Sequence, residues 1–399
     1  MNSLKIGWID YSGEHRNKVM AVLDALSSPG ALDELGIGSI RDGLADILFP
    51  GTSTIQTRAK YFFIVPYLLM ELEKENYKSS KELIEKLDIE EIALIDILNK
   101  QEVDGVIGAR AGHKLKRKPS SIYWSGLRTF EIFKHSSLSL ANYTKAVVSM
   151  KKSKGSARFL GNEENDDVNI GTDEYNGMYW SCLLPEVDWK EGLTMELSYN
   201  EAEFLKGKIV KSERIKESLF AFLLKKDFEE VEKLNNFEAI GDAFHLPDHL
   251  KDDYMMAKRF SQFVSGANIR YNVILSNGEN EEALQKWKKW KGSSFVLREF
   301  PSFPFRELTH RLGIHNIRLN RFLEGWQKAV ISGDESVMDQ LIINREIDLK
   351  TKDRAKLHNT KVYHYKEGDW VGTEKLQYRF ANAKVILTDI MKGLEEPHA

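Results

Sequence analysis

The most apolar run of the chain, Tyr61 to Met70, is ten residues long and contains Pro66. A membrane-spanning helix needs about 20 consecutive apolar residues, so this run excludes a transmembrane helical protein. With 8 Trp, 14 Tyr and 20 Phe, the chain can bury a large core, which rules out a wholly disordered protein. Its 399 residues suggest two or three domains at roughly 100–200 residues each. The N-terminus lacks the basic, then apolar, then small-residue order of a secretory signal. Lone Cys182 excludes an intramolecular disulfide framework and a Cys-based zinc knuckle. The expectation is a cytoplasmic protein.

The formal net charge of −3 hides a strong segregation. From Arg110 to Arg158 twelve basic residues face one acid, Glu131, giving +11. From Phe159 to Glu203 twelve acids face one base, Lys190, giving −11. A local basic surface attracts polyanions whatever the total charge. Two readings follow: the blocks pair with each other, or the basic one contacts nucleic acid.

Apolar periodicity predicts mostly helix. Leu4–Tyr11 reads as a short strand, and Glu14–Leu26 as a helix with Val19, Val22, Leu23 and Leu26 on one face. A second helix is expected over Arg41–Leu48, ending at Pro50-Gly51. Thr52, Ser53 and Thr54 are candidate N-caps for a third helix carrying Ile55, Ala59, Phe62 and Phe63, which Pro66 should kink or end. Ser79-Ser80 opens a further helix with Leu83, Ile84 and Leu87 on its stripe, and Pro119 stands at the start of another. Ser198 to Glu201 forms a capping box. Helices are also expected at Glu213–Leu224, Tyr254–Phe263, Glu281–Trp290, Arg318–Ile331 and Tyr378–Leu394. No 20–50-residue period recurs, which argues against a solenoid.

The fold class expected is mainly α with a few short β-strands, multi-domain, with a helix-turn-helix or winged-helix-like module in the N-terminal half. Residues 1–150 form a mostly helical domain with a basic C-terminal part, 151–177 a polar linker, and 178–399 a C-terminal helical domain.

The densest polar constellation runs from Asp33 to Arg58. Gly51, Thr52, Ser53 and Thr54 would present backbone amides at a helix start, with Arg41 and Arg58 adding guanidinium donors, a set suited to phosphate or carboxylate. The Gly-Lys-Ser/Thr ending of a Walker motif is absent. The alternative is plain hydroxyl capping with salt bridges to Asp33, Asp42 or Asp46. Asp10, Asp33, Glu34 and Asp42 could supply carboxylates to a metal, but their spacing does not argue for convergence. His245 and His249 are four apart with Pro247 between them and without the Glu of a zinc-protease motif; His310 and His315 are weaker still. Cys182 reads as a buried, inert thiol. No metal or cofactor is expected.

The basic block offers Lys114, Lys116, Arg117, Lys118, Arg128, Lys151, Lys152 and Lys154 to phosphates, with Tyr123 among rings that would stack on bases. Lys286, Lys288, Lys289 and Lys291 around Trp287 and Trp290 form a second basic-aromatic patch, whose alternative is an amphipathic surface helix.

Several motifs resemble those of a bacterial family described as a domain of unknown function. They are Gly7-Trp8-Ile9-Asp10-Tyr11-Ser12, Asp33-Glu34-Leu35-Gly36-Ile37-Gly38 with Ile40-Arg41-Asp42, Phe49 through Phe62, Gly105-Val106-Ile107-Gly108, and Pro119 through Trp124 with Leu127. The closing set is Tyr378-Arg379, Ala383, Ile386 and Asp389-Ile390. The resemblance implies a full-length member encoded near anti-phage defence genes, and brings no catalytic residues with it. The resulting expectation is a non-catalytic, nucleic-acid-binding component of a bacterial defence complex, DNA favoured over RNA, with other proteins of that complex as partners and no membrane contact. Two alternatives stand beside it: an enzyme or sensor binding a phosphorylated ligand at the Asp33–Arg58 constellation, and a protein-interaction scaffold.

Overall fold

A computed structural model describes residues 33–100, 103–159, 177–359 and 362–395. The strand expected at Leu4–Tyr11, the helix at Glu14–Leu26 and the carboxylate Asp10 lie outside the described residues. The protein is mainly helical. Among the described residues no strand forms, and the few expected are represented by a single bridge between Phe133 and Trp180. No described helix is long and apolar enough to cross a membrane.

The chain divides into two compact units, neither of them continuous. One takes residues 1–44 and 255–376, the other 45–254 and 377–399. These boundaries differ from a sequential cut near residue 150. The helix Leu140–Phe159 runs into the expected linker, of which 160–176 lie outside the described residues.

The second unit is built around the apolar run that opens its sequence. Helix Tyr61–Leu72 is buried on every side except at Glu71, so Pro66 neither ends it nor faces water. Burial all round outweighs the one amide bond that proline forgoes. Phe62 packs on Tyr123 and Phe130 at 4.9 and 4.8 Å between centroids. Phe49 meets Phe220, Phe237 and Phe380 at 6.0–6.5 Å. Helix Ser80–Asn99 starts where Ser79 accepts from the Glu82 amide at 3.3 Å, and Tyr199–Lys211 starts at the expected Ser198–Glu201 capping box. The C-terminal helix Phe380–Glu395 packs along Tyr199–Lys211, so closely that a Cβ on Gly393 would lie 2.9 Å from the Leu197 carbonyl.

Helices Ser80–Asn99 and Pro119–Thr129 are joined by residues 100–118. That is far longer than the three or four residues of a helix-turn-helix connection, and no described strand supplies a wing. Instead of the expected helix over Glu213–Leu224, only Leu219–Leu223 is helical, capped by Ser218.

The first unit has its own aromatic core. Trp287, Trp290 and Trp326 cluster with Phe263 and Phe300. Under it lies a buried polar network: Glu346 accepts from Tyr271 Oη at 2.7 Å, the Leu357 amide at 2.9 Å and Lys350 Nζ at 2.9 Å. Lys350 also pairs with Glu34.

Candidate functional site

The segment from Phe49 to Ala59 is a folded loop, and its hydrogen bonds explain why it is not the expected helix start. Gln56 is buried and closes the loop on itself, accepting from the Ser53 amide at 3.0 Å and donating to the Gly51 carbonyl at 3.1 Å. Thr52 donates its hydroxyl to the Phe49 carbonyl at 2.7 Å. Tyr123 Oη accepts from the amides of Thr57 and Arg58 at 2.9 and 3.1 Å and donates to the Arg58 carbonyl at 2.8 Å. The next amide, Ala59, goes to Asp389 at 2.8 Å. Side chains thus hold the amides that a helix would otherwise have used, and the helix begins only at Tyr61. Gly51 (φ 79°) is required because a Cβ there would lie 2.4 Å from the Phe130 ring.

The C-terminal helix clasps the outside of this loop. Arg379 donates to the Thr52 carbonyl at 2.9 Å and to Asp46 at 2.5 Å. Asn382 donates to the Gln56 carbonyl at 2.8 Å, and Asp389 takes the Arg58 guanidinium at 2.9 Å. Arg58 also donates to the carbonyls of Asp104 and Met195 at 3.1 and 3.3 Å. Burial raises the Asp389 carboxyl above its ordinary range, while the Arg58 charge and the Ala59 amide pull it down. Beside this clasp opens a cleft of about 800 Å³, with Arg58, Asp389, Asn382 and Gly105 in its wall and Lys384 and Lys392 along it. Lys384 is committed to the carbonyls of Glu232 and Leu234 at 2.7 and 2.8 Å.

These contacts correct the helix start expected at Thr52–Thr54. Gly51, Thr52, Ser53 and Thr54 do not head a helix, and Arg58 already holds a carboxylate. Arg41 belongs to the other unit and bonds Asp42 at 3.1 Å. The acidic residues do not converge either: Asp33 accepts from the Leu35 amide, Glu34 pairs with Lys350 and Lys356, and Asp42 with Arg41. His249 lies 3.1 Å from Glu217. No group of three or more His, Cys, Asp or Glu that could hold a metal occurs among the described residues. Burial pushes the Cys182 thiol up, away from the reactive thiolate.

The loop 103–118 is the second feature of this unit. It is pinned at its base: Ile107 donates its amide to Tyr61 Oη at 2.8 Å, and Val106 and Ile107 are buried. Gly108 (φ 92°) passes where a Cβ would lie 2.6 Å from Ile95. Successive turns follow, Ala111 and Gly112 to the Gly108 carbonyl, Lys114 to Ala111 and Leu115 to Gly112. At the far end Ser120 is held by the buried Glu91, through its amide at 2.5 Å and its hydroxyl at 3.0 Å. The result is a loop held at both ends with Arg110, Lys114, Lys116 and Arg117 exposed. Among the described residues none of the four has an ion-pair partner. Lys118 turns back to the Leu115 carbonyl at 2.9 Å.

The other expected contact residues have structural duties. Tyr123 is fully buried, as are Phe130, Phe133 and Tyr143, so the stacking role expected of Tyr123 is corrected: the ring is core and its hydroxyl organises the 57–58 backbone. Arg128 donates to the Ser136 carbonyl at 3.1 Å. Lys151 and Lys152 donate to the carbonyls of Glu75 and Lys78 in the turn before helix Ser80–Asn99. Lys154 lies on helix Leu140–Phe159. In the other unit Trp287 and Trp290 are buried, and Lys286 and Lys291 pair with Glu282 and Glu335.

Sequence reasoning missed the Arg58–Asp389 pair and the buried Glu73. Glu73 accepts from Trp180 Nε1 at 2.8 Å and from Tyr143 Oη, and burial pushes its carboxyl up to about 7. Arg58 and Asp389 stand in two motifs 331 positions apart that nothing local links, and Glu73 stands in no pattern that would have signalled it.

Residues 3–155 match the model of a family of unknown function, DUF6361. That stretch includes the Asp33–Gly38, Phe49–Phe62 and Pro119–Trp124 motifs; the closing motif at 378–390 lies beyond it. No curated protein and no solved structure matches the chain.

Proposed function

We propose that this protein binds nucleic acid, duplex DNA first, by gripping the phosphodiester backbone with the 103–118 loop. The observation that supports this is the exposure of Arg110, Lys114, Lys116 and Arg117 on one loop, without a carboxylate partner among the described residues. Release of condensed counterions supplies the drive. The role proposed is binding.

The test is a titration of labelled duplex by fluorescence anisotropy across salt concentrations. Four phosphate contacts would give a log–log salt slope of about −3.6, at roughly 0.9 per contact. The triple variant K114E/K116E/R117E should bind every sequence more weakly and with a shallower slope. Wild-type affinity and slope in that variant would refute the reading. Membership of an anti-phage complex follows from the resemblance alone; co-purification with a neighbouring gene product tests it.

A further inference from the structure

The first unit carries two helices joined by a very short connection. Helix Phe305–Arg311 ends in paired bonds: Gly313, at φ 66°, donates to the His310 carbonyl at 3.0 Å, and Ile314 to the Thr309 carbonyl at 2.8 Å. That left-handed glycine stops the helix and turns the chain. The next helix, Ile317–Ser332, begins at once, with Asn316 as its cap accepting from the Leu319 amide at 3.1 Å. Phe305 and Leu308 of the first helix and Leu319, Phe322, Leu323 and Trp326 of the second are buried, so the pair has one inner face. Trp326 anchors it by donating to the Phe263 carbonyl at 3.0 Å.

The outer face carries more basic than acidic side chains, with Glu307 and Glu324 among Arg306, Arg311, Arg318, Arg321 and Lys328. Arg318 and Arg321 are exposed, without an ion-pair partner among the described residues, and Ile317 is 73% exposed at the first helical position. Glu324 faces the same way but is neutralised by Arg306 at 2.6 Å and Lys328 at 2.8 Å. His310, His315, Arg321 and the paired Glu324 line a groove of about 430 Å³ between the helices.

We propose that Phe305–Ser332 is a helix-turn-helix whose second helix enters the major groove of duplex DNA and reads bases through Ile317, Arg318 and Arg321. The connection, residues 312–316, is one residue longer than the usual three or four and carries the glycine of that motif, and base contacts in it come from the N-terminal residues of the second helix. A helix about 10–12 Å across fits a major groove about 12 Å wide. Arginine pairs with the O6 and N7 acceptors of guanine, and an exposed aliphatic side chain packs on the thymine methyl. The site lies in a different unit from the 103–118 loop and stands independently of the backbone-binding reading.

Selection of bound molecules from a randomised duplex library by the full chain tests it. The wild type should enrich a short motif. Arg321→Ala and Arg318→Ala, both exposed and with melting curves checked against wild type, should each lose preference at one position, by roughly 5- to 150-fold. K114E/K116E/R117E should keep the motif while binding all duplexes more weakly. Retention without enrichment would overturn the helix-turn-helix assignment and leave backbone binding standing. An enriched motif unchanged in both arginine variants would also overturn it. No retention of any duplex at low salt would overturn both readings.

Discussion

Arg58 and Asp389, 331 positions apart in sequence, form a largely buried ion pair, with Nε of the arginine 3.0 and 2.9 Å from the two carboxylate oxygens. The pair ties the Phe49–Phe62 motif to the closing motif at 378–390. Arg379 and Asn382 tie the same two segments at other points. Residues that read on the sequence as two motifs are one structural element, and its cohesion is polar.

Removing Arg58 should therefore damage the second unit rather than an active chemistry. Arg58→Ala leaves a carboxylate buried without its cation, a change of about 3–5 kcal/mol for pairs of this kind. Asp389 is already held above its ordinary range, and loss of Arg58 raises it further. A raised carboxyl stabilises the fold at low pH and loses that contribution as pH rises through its folded value. The variant should thus be relatively more stable in acid than at neutral pH, and Arg58→Ala/Asp389→Asn should recover part of the loss. Thermal melts of the wild type and the two variants over a pH series measure both effects.

Glu73 gives a second pH dependence, from burial. Its carboxyl rises from an ordinary 4.5 to about 7, because burial strips water from the charge by more than the hydrogen bonds of Tyr143 and Trp180 restore. The stability it contributes is complete below about 4.5 and is lost as pH rises through 7, roughly 3 kcal/mol in all. Glu73→Gln keeps acceptors for Tyr143 and Trp180 without the charge. The melting temperature of the wild type should fall between pH 5 and 8 relative to that of this variant. Parallel pH profiles for the two would count against the argument.

Close approach, rather than charge, sets the third expectation. Gly126 lies in helix Pro119–Thr129 where a Cβ would meet the Gly51 carbonyl at 2.6 Å, the Phe62 ring at 2.7 Å and Gln56 Nε2 at 3.1 Å. Gly126→Ala would normally favour a helix by up to about 1 kcal/mol. Here the methyl must push the clasped loop outward, at about 1–3 kcal/mol. A urea midpoint below that of the wild type is the expected result.

Much of the helical fold was legible because it is written locally. Ser79, Pro119 and Ser198 all stand at helix starts, where a side-chain oxygen or proline ring has a short-range reason to be. The Thr52–Thr54 start failed for a non-local reason: the amides just after it are taken by Tyr123 and Asp389, residues from other parts of the chain. Non-local pairing also explains why the two charge blocks were ambiguous. Of their described members, Glu201 pairs with Lys60 and Lys190 with Glu71 and Glu90, all outside both blocks. Composition counts charge; only packing shows which charges are taken.

That distinction separates the lysines of the basic block. Lys151 donates to the Glu75 carbonyl and its charge helps hold the Glu73 carboxyl down, whereas Lys114, Lys116 and Arg117 project from their loop. Lys151→Ala removes a partly exposed bond to a carbonyl, about 1 kcal/mol, and lets Glu73 rise. It should lower the melting temperature most near neutral pH, where Glu73 would otherwise ionise. Its effect on duplex affinity should stay within a factor of about 3, since one screened phosphate contact is the most it could supply. Anisotropy titrations at matched salt, beside melts of the same samples, separate the two roles. A larger loss of affinity than K114E/K116E/R117E produces would move the binding surface from the loop to helix Leu140–Phe159.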